Sequence, residues 1–164
     1  MIRRATTDDS SRIADIQVFG WRNAYRGIVD DIILFKKLNI EKKSNAIRES
    51  IENNKEEILV FEEDEIVKAM MIIGKSRDDD MPGAFELWCI YVDPMMMRSG
   101  IGSKMLAYCE REAKSRDIST NTLWVLSRNA IGRSFYEKNG YYADGKKQMI
   151  ERLGVEEIRY VKQL

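Results

Sequence analysis

The passage Tyr91 to Met105, YVDPMMMRSGIGSKM, constrains the fold of this chain more than any other stretch. The apolar run Phe85 to Val92 reads as a strand buried on both faces, Pro94 ends it, and Gly100 and Gly102 open a helix. That helix is expected from Gly100 to Arg116, with Ile101, Met105, Cys109 and Ala113 forming one apolar stripe. Glycines at a helix start let backbone N–H groups approach an anion, and the first-turn N–H groups have no partner within the helix. The loop Arg98 to Ser103 therefore predicts a cradle for a diphosphate. Two common phosphate loops fail on the letters. A Walker loop needs glycine where Met97 stands and an adjacent Gly-Lys pair, whereas a dinucleotide fingerprint needs glycine where Met105 stands. An ordinary glycine-containing turn is the plain alternative.

The remaining chemistry is bounded by what the chain lacks. It has no histidine, which removes Ser-His-Asp and Cys-His nucleophilic machinery and imidazole bases, and Cys89 and Cys109 form no metal-ligand spacing. Acid-base work falls to Glu, Asp, Tyr, Lys, Cys or water, no metal is expected, and a reaction without a covalent enzyme intermediate fits best. With 27 basic and 27 acidic residues in 164, no net field draws in nucleic acid or an anionic membrane. No apolar run is long enough for a membrane span, and Met1-Ile2-Arg3-Arg4 lacks a signal-peptide core, so a soluble cytoplasmic protein is expected. The length suits one domain over residues 1–164.

The rest of the chain reads as alternating elements. Ile2 to Ala5 suggests a strand, followed by a helix with caps at Thr7, Asp8 and Asp9, apolar positions at Ile13, Ile16, Phe19 and Ala24, and an end near Tyr25 to Gly27. A second helix begins at Asn39 and stops at Asn53-Asn54; Ile58 to Phe61 and Ile66 to Ile73 form a hairpin around the acidic turn Glu62 to Glu65. Gly74 to Gly83 reads as a loop with a mobile tip, and its run Asp78-Asp79-Asp80 as solvated charge. Met95 to Met97 reads as a partly buried turn. A strand at Leu123 to Leu126, a helix from Asn129 to Asn139 with Gly140 at its end, and strands from about Ala143 to Arg152 and Glu156 to Lys162 complete the chain.

Glu86 to Leu106 and Leu123 to Tyr141 together resemble the GNAT superfamily of N-acetyltransferases. Val92, Pro94, Gly100 and Gly102 match its strand end and coenzyme A loop, and Asn129 with Phe135 to Tyr141 (FYEKNGY) matches its closing helix. Met97 stands where the family usually has Gln or Arg, with Arg98 one place later. The resemblance implies an α/β (α+β) fold, a mixed, mostly antiparallel sheet flanked by helices with its central strands splayed. It also implies acetyl-coenzyme A as cofactor, bound by Ile90, Tyr91, Val92, Met97, Arg98, Ser99, Gly100, Ile101, Gly102, Ser103, Asn129, Arg133 and Tyr136. Glu86 occupies the position of a general base, with exposure at a strand end as the plainer use; Tyr136 occupies that of the acid for the departing thiolate. Trp21, Tyr25 and Arg26 would border the acceptor, though Trp21 and Tyr25, four apart, also suit packing on a sheet. The implied reaction is direct acetyl transfer in a ternary complex to a primary amine, either a small molecule such as a polyamine or a protein N-terminus. A coenzyme-A-binding regulatory module is the alternative, a nucleotide hydrolase is remote, and a homodimer follows by analogy alone.

Overall fold

The computed structural model describes residues 1–164. Its elements are β1 (Ile2–Arg4), α1 (Ser10–Tyr25), α2 (Ile40–Glu52), β2 (Glu57–Glu63), β3 (Ile66–Lys75), β4 (Phe85–Val92), α3 (Ile101–Ser115), β5 (Thr120–Leu126), α4 (Ala130–Lys138), β6 (Tyr142–Ile150) and β7 (Val155–Gln163). One seven-stranded sheet runs β1-β2-β3-β4-β5-β7-β6. Every neighbouring pair is antiparallel except β4 with β5, the mostly antiparallel mixed sheet expected. No helix is long and apolar enough to cross a membrane.

Both faces of the sheet are covered, which is why β2, β3 and β4 are apolar almost without interruption. The α3 stripe Ile101, Met105, Cys109 and Ala113 packs on one face against Leu59, Met71, Phe85 and Leu87. On the other face Ile13 and Ile16 of α1 and Ile47 of α2 meet Val60 and Met70. A third cluster joins Val29 and Leu34, between α1 and α2, to Leu126, Leu153 and Val155, so the β6–β7 turn closes over the α1 side of the sheet.

Side chains at the element ends do what their types allow. Asn39 Oδ1 accepts the Lys42 N–H at 2.9 Å to start α2, and Asn129 Oδ1 accepts the Gly132 N–H at 3.0 Å to start α4. Gly140 follows α4 with φ +85°, the left-handed step that glycine takes without a Cβ clash. An irregularity in the β3–β4 register, Ile72 opposite Cys89 but Ile73 opposite Leu87, inserts Trp88 as an extra residue. In consequence Leu87 and Ile90 pack on the α3 side while Cys89 and Tyr91 pack on the α1 side.

Four expectations need correction. The segment Gly74 to Gly83 is not a freely moving loop: β3 continues to Lys75, and the tip is tied down by Arg159. That side chain, only 4 % exposed on β7, donates to Asp78 at 3.2 Å and to Asp80 at 2.8 Å, so two of the three aspartates are anchors rather than solvated charge. Met95 is 90 % exposed instead of partly buried. Phe19 is 48 % exposed, because α1 turns Ile13, Ile16 and Gly20 toward the sheet instead. Gly20 is needed there, since a Cβ would stand 2.9 Å from Cδ1 of Tyr91. Finally, a single wide π-type turn spans Ile32–Lys37 in a stretch with no legible periodicity.

Candidate active site

The site begins where the sheet comes apart. β4 and β5 pair only from Phe85 to Leu87, against Asn121 to Leu123. Beyond this point β4 continues with β3 to Val92, and β5 continues with β7 to Leu126, so the two strands diverge and their facing edges are unpaired. A buried sheet ordinarily satisfies its backbone groups. Here the edge of β4 from Trp88 to Val92, which includes Ile90, Tyr91 and Val92, is free to bond an extended amide-bearing chain.

The cradle lies at the wide end of this gap. None of the six successive amides from Arg98 to Ser103 donates to a protein acceptor; the first bond into α3 comes from Lys104, to the Gly100 carbonyl at 3.1 Å. Gly100 has φ +80° and open space around the position of a Cβ, and Arg98 carries its charge beside it at φ +63°. Unpaired amides, a helix start and a guanidinium fit a diphosphate. Met97 supplies no polar contact to such a group; its sulfur instead accepts from Asn23 Nδ2 at 3.5 Å, tying the loop to α1. Ser99 Oγ donates to the Met96 carbonyl at 2.7 Å, which leaves its amide as its contribution. Gly102 has a different use from Gly100. A Cβ there would meet Phe135 at 3.3 Å, so this glycine lets α4 close on α3 and does not line the phosphate space.

Tyrosines line both walls at the gap. The Tyr136 ring packs edge-on to Phe135, with centroids 5.2 Å apart, and burial pushes its phenol well above the usual tyrosine value. From the α1 side, the Tyr25 hydroxyl lies 3.3 Å from that of Tyr91, and burial raises both phenols. Burial also pushes the Cys89 thiol up to about 12. The phenols are therefore neutral donors, and Cys89 is a poor nucleophile at neutral pH.

The other candidate residues divide. Glu86 is fully buried but not free: its carboxylate accepts from the Arg77 amide at 2.8 Å and from Arg77 Nε at 3.1 Å, and the guanidinium terminus closes the pair. Neither solvent exposure nor an uncommitted base describes it. Asn129 caps α4, and Arg133 turns inward, Nε to the Tyr160 hydroxyl at 3.0 Å and Nη1 to the Ser127 carbonyl at 3.2 Å. Trp21 packs edge-on to Tyr25 with ring centroids 5.2 Å apart, while Arg26 is exposed on a shallow depression of about 550 Å³ with Asp30 and Asp31.

One carboxylate escaped the reading of the sequence. Glu157 sits on β7 opposite Leu126, at the free end of β5, half-buried, with Gln148 Nε2 donating to it at 2.6 Å. Burial raises its carboxyl above the usual range. Nothing in the string Val155 to Gln163 marks it, since charged and apolar residues simply alternate there.

The sequence profile of the family described as "Acetyltransferase (GNAT) domain" matches residues 54–143, more than half of the chain and the part that builds the gap and the cradle. A Mycobacterium tuberculosis protein named "Probable N-acetyltransferase Rv2775" is 27% identical over 149 residues, covering 88% of this chain and 81% of the relative. The spermidine N(1)-acetyltransferase of Thermoplasma acidophilum is 27% identical over 154 residues, covering 85% and 86%. The crystal structure of the PaiA N-acetyltransferase from Thermoplasma acidophilum, in complex with coenzyme A, superposes with a TM-score of 0.77 at 22% identity, covering 100% of this chain and 98% of that one. The chain belongs to the GNAT superfamily and is an acetyl-coenzyme-A-dependent N-acetyltransferase.

Proposed function

We propose that the enzyme moves the acetyl group directly to a primary amine in a ternary complex. The observation that carries this is the gap between β4 and β5, with the amide cradle and Tyr136 on the α3 side and the Tyr25–Tyr91 pair on the α1 side. Acetyl-coenzyme A, when bound, supplies a thioester whose carbonyl carbon accepts a nucleophile. The amides of Arg98 to Ser103 hold the diphosphate, and the free edge of β4 bonds the extended arm. An amine arrives protonated, since an alkylammonium has a pKa of roughly 10.4. Glu157 takes that proton through water, a role for which a carboxyl raised by burial is suited. Tyr136 returns a proton to the departing sulfur from its phenolic oxygen. Arg77 holds Glu86 as an anchor for the loop after β3 rather than as the base. Direct transfer is favoured over an acetylated enzyme because Cys89, the one thiol near the gap, is held protonated with a pKa of about 12.

The acceptor is a small-molecule amine, such as a polyamine, or a protein N-terminus; the relative that acetylates spermidine supports the former. Thiol release from acetyl-coenzyme A over a panel of amines tests the reading. Release that rises with amine concentration is the expected result, whereas coenzyme binding without any amine-dependent release supports a regulatory module. Glu157→Gln is expected to lower kcat/KM about tenfold at pH 7. In the wild type the rate falls as the pH drops toward the raised carboxyl value, because the base becomes protonated; in the variant this acid limb disappears. An unchanged limb assigns the base elsewhere.

A further inference from the structure

Gln17, Trp21 and Tyr25 form one row along α1, each four residues from the next. The row ends at the Tyr25–Tyr91 hydroxyl pair. At its other end, Gln17 is only 8 % exposed and its amide oxygen has no hydrogen-bond partner, and the Trp21 indole N–H is likewise buried and unpartnered. Buried polar groups in a folded protein are nearly always paired, so two orphans on adjacent helical turns mark a place for a polar ligand. Both line one cavity of about 380 Å³, with Leu153 of the β6–β7 turn among its apolar walls. Lys37, Lys43 and Arg152 also line it, and no acidic side chain does. None of these three cations forms an ion pair.

Resting on the acetyl-transfer reading above, we propose that the acceptor is an amine that also carries a carboxylate, with the carboxylate held in this cavity and the amine presented at Tyr25 and Tyr91. The indole N–H and the Gln17 amide bond the carboxylate while the three cations provide its countercharge. A polyamine would instead bring its distal ammonium group among three like charges. Helical rise sets the ligand's length. At 1.5 Å per residue, Tyr25 lies about 6 Å from Trp21 and about 12 Å from Gln17 along α1, so the amine and carboxylate are separated by about 6 to 12 Å. This fits an ω-amino carboxylate and excludes a simple α-amino acid, whose two groups are adjacent.

The test compares 6-aminohexanoate with 1,5-diaminopentane, which share a five-methylene spacer, as acceptors for acetyl-coenzyme A. The wild type is expected to show a kcat/KM at least about tenfold higher for 6-aminohexanoate, and the double variant Lys43→Glu, Arg152→Glu to reverse the order, with coenzyme A affinity retained as the check on folding. Amine-dependent thiol release that favours the diamine in the wild type, or an order unchanged by the double variant, overturns the proposal and leaves the acetyltransferase reading standing. If no amine releases thiol, that reading has failed separately. Calorimetry with 6-acetamidohexanoate then tests the anion site alone: heat that disappears in the double variant supports it, and no heat in the wild type overturns it.

Discussion

Tyr136→Phe lowers kcat by about a hundredfold while changing coenzyme A affinity less than twofold, the loss typical of removing one positioned general acid, about 2.7 kcal/mol. The ring remains, so its edge-on contacts with Phe135 and Tyr141 are kept and α4 stays closed on α3. Only the hydroxyl is lost, and it has no protein hydrogen-bond partner whose loss would complicate the comparison. Burial raises this phenol above its usual value, so the proton stays on oxygen throughout the neutral range. The wild-type rate therefore shows no decline between pH 7 and 9 through Tyr136, since a raised pKa moves the loss of the donor to higher pH. Pre-steady-state kinetics separate this step from binding and release. An unaltered turnover number in the phenylalanine variant assigns the acid to water.

Gly100→Asp weakens coenzyme A binding by at least a hundredfold. A carboxylate about 5 Å from the diphosphate, at an effective dielectric of about 20, costs roughly 3 kcal/mol. The position is chosen because φ is +80° and nothing lies within 4 Å of a Cβ there, so the new side chain enters open space at the mouth of the cradle. Aspartate tolerates the left-handed region better than most residues, and a strain of about 1 kcal/mol moves the melting temperature only a few degrees. Calorimetry with coenzyme A and a thermal melt read the two effects apart. Retained affinity with an unchanged melt removes the cradle from this loop. The same substitution at Gly102 would be a poorer probe, because it pushes on Phe135 and so disturbs α4 rather than the ligand space.

The elements that obey a local rule were legible without coordinates. The stripe Ile101, Met105, Cys109 and Ala113 announces α3 because helical periodicity and burial coincide, and all four residues are buried. Asn39 and Asn129 are read as helix starts because a short amide side chain can reach an orphan N–H, and both do. The π-type turn Ile32–Lys37 escaped because it follows no common period. The loop after β3 was misjudged because Arg159, the residue that ties it, lies about 80 positions away and looks like any charge on an alternating strand.

The active site divides along the same line. The amides of Arg98 to Ser103 are set free by chain geometry that glycine spacing encodes directly, and so the diphosphate cradle is a property of one short stretch of letters. Which carboxylate can act as a base is not local. Glu86 and Glu157 are both glutamates on strands, and only the packed sheet gives Arg77 to the first and leaves the second half-buried at the free end of β5. The orphaned Gln17 amide and Trp21 indole likewise depend on four segments meeting around one cavity. Periodicity, caps and glycine conformation act over a few residues and can be read from the chain; charge pairing and solvation act through space, and these the tertiary structure alone decided.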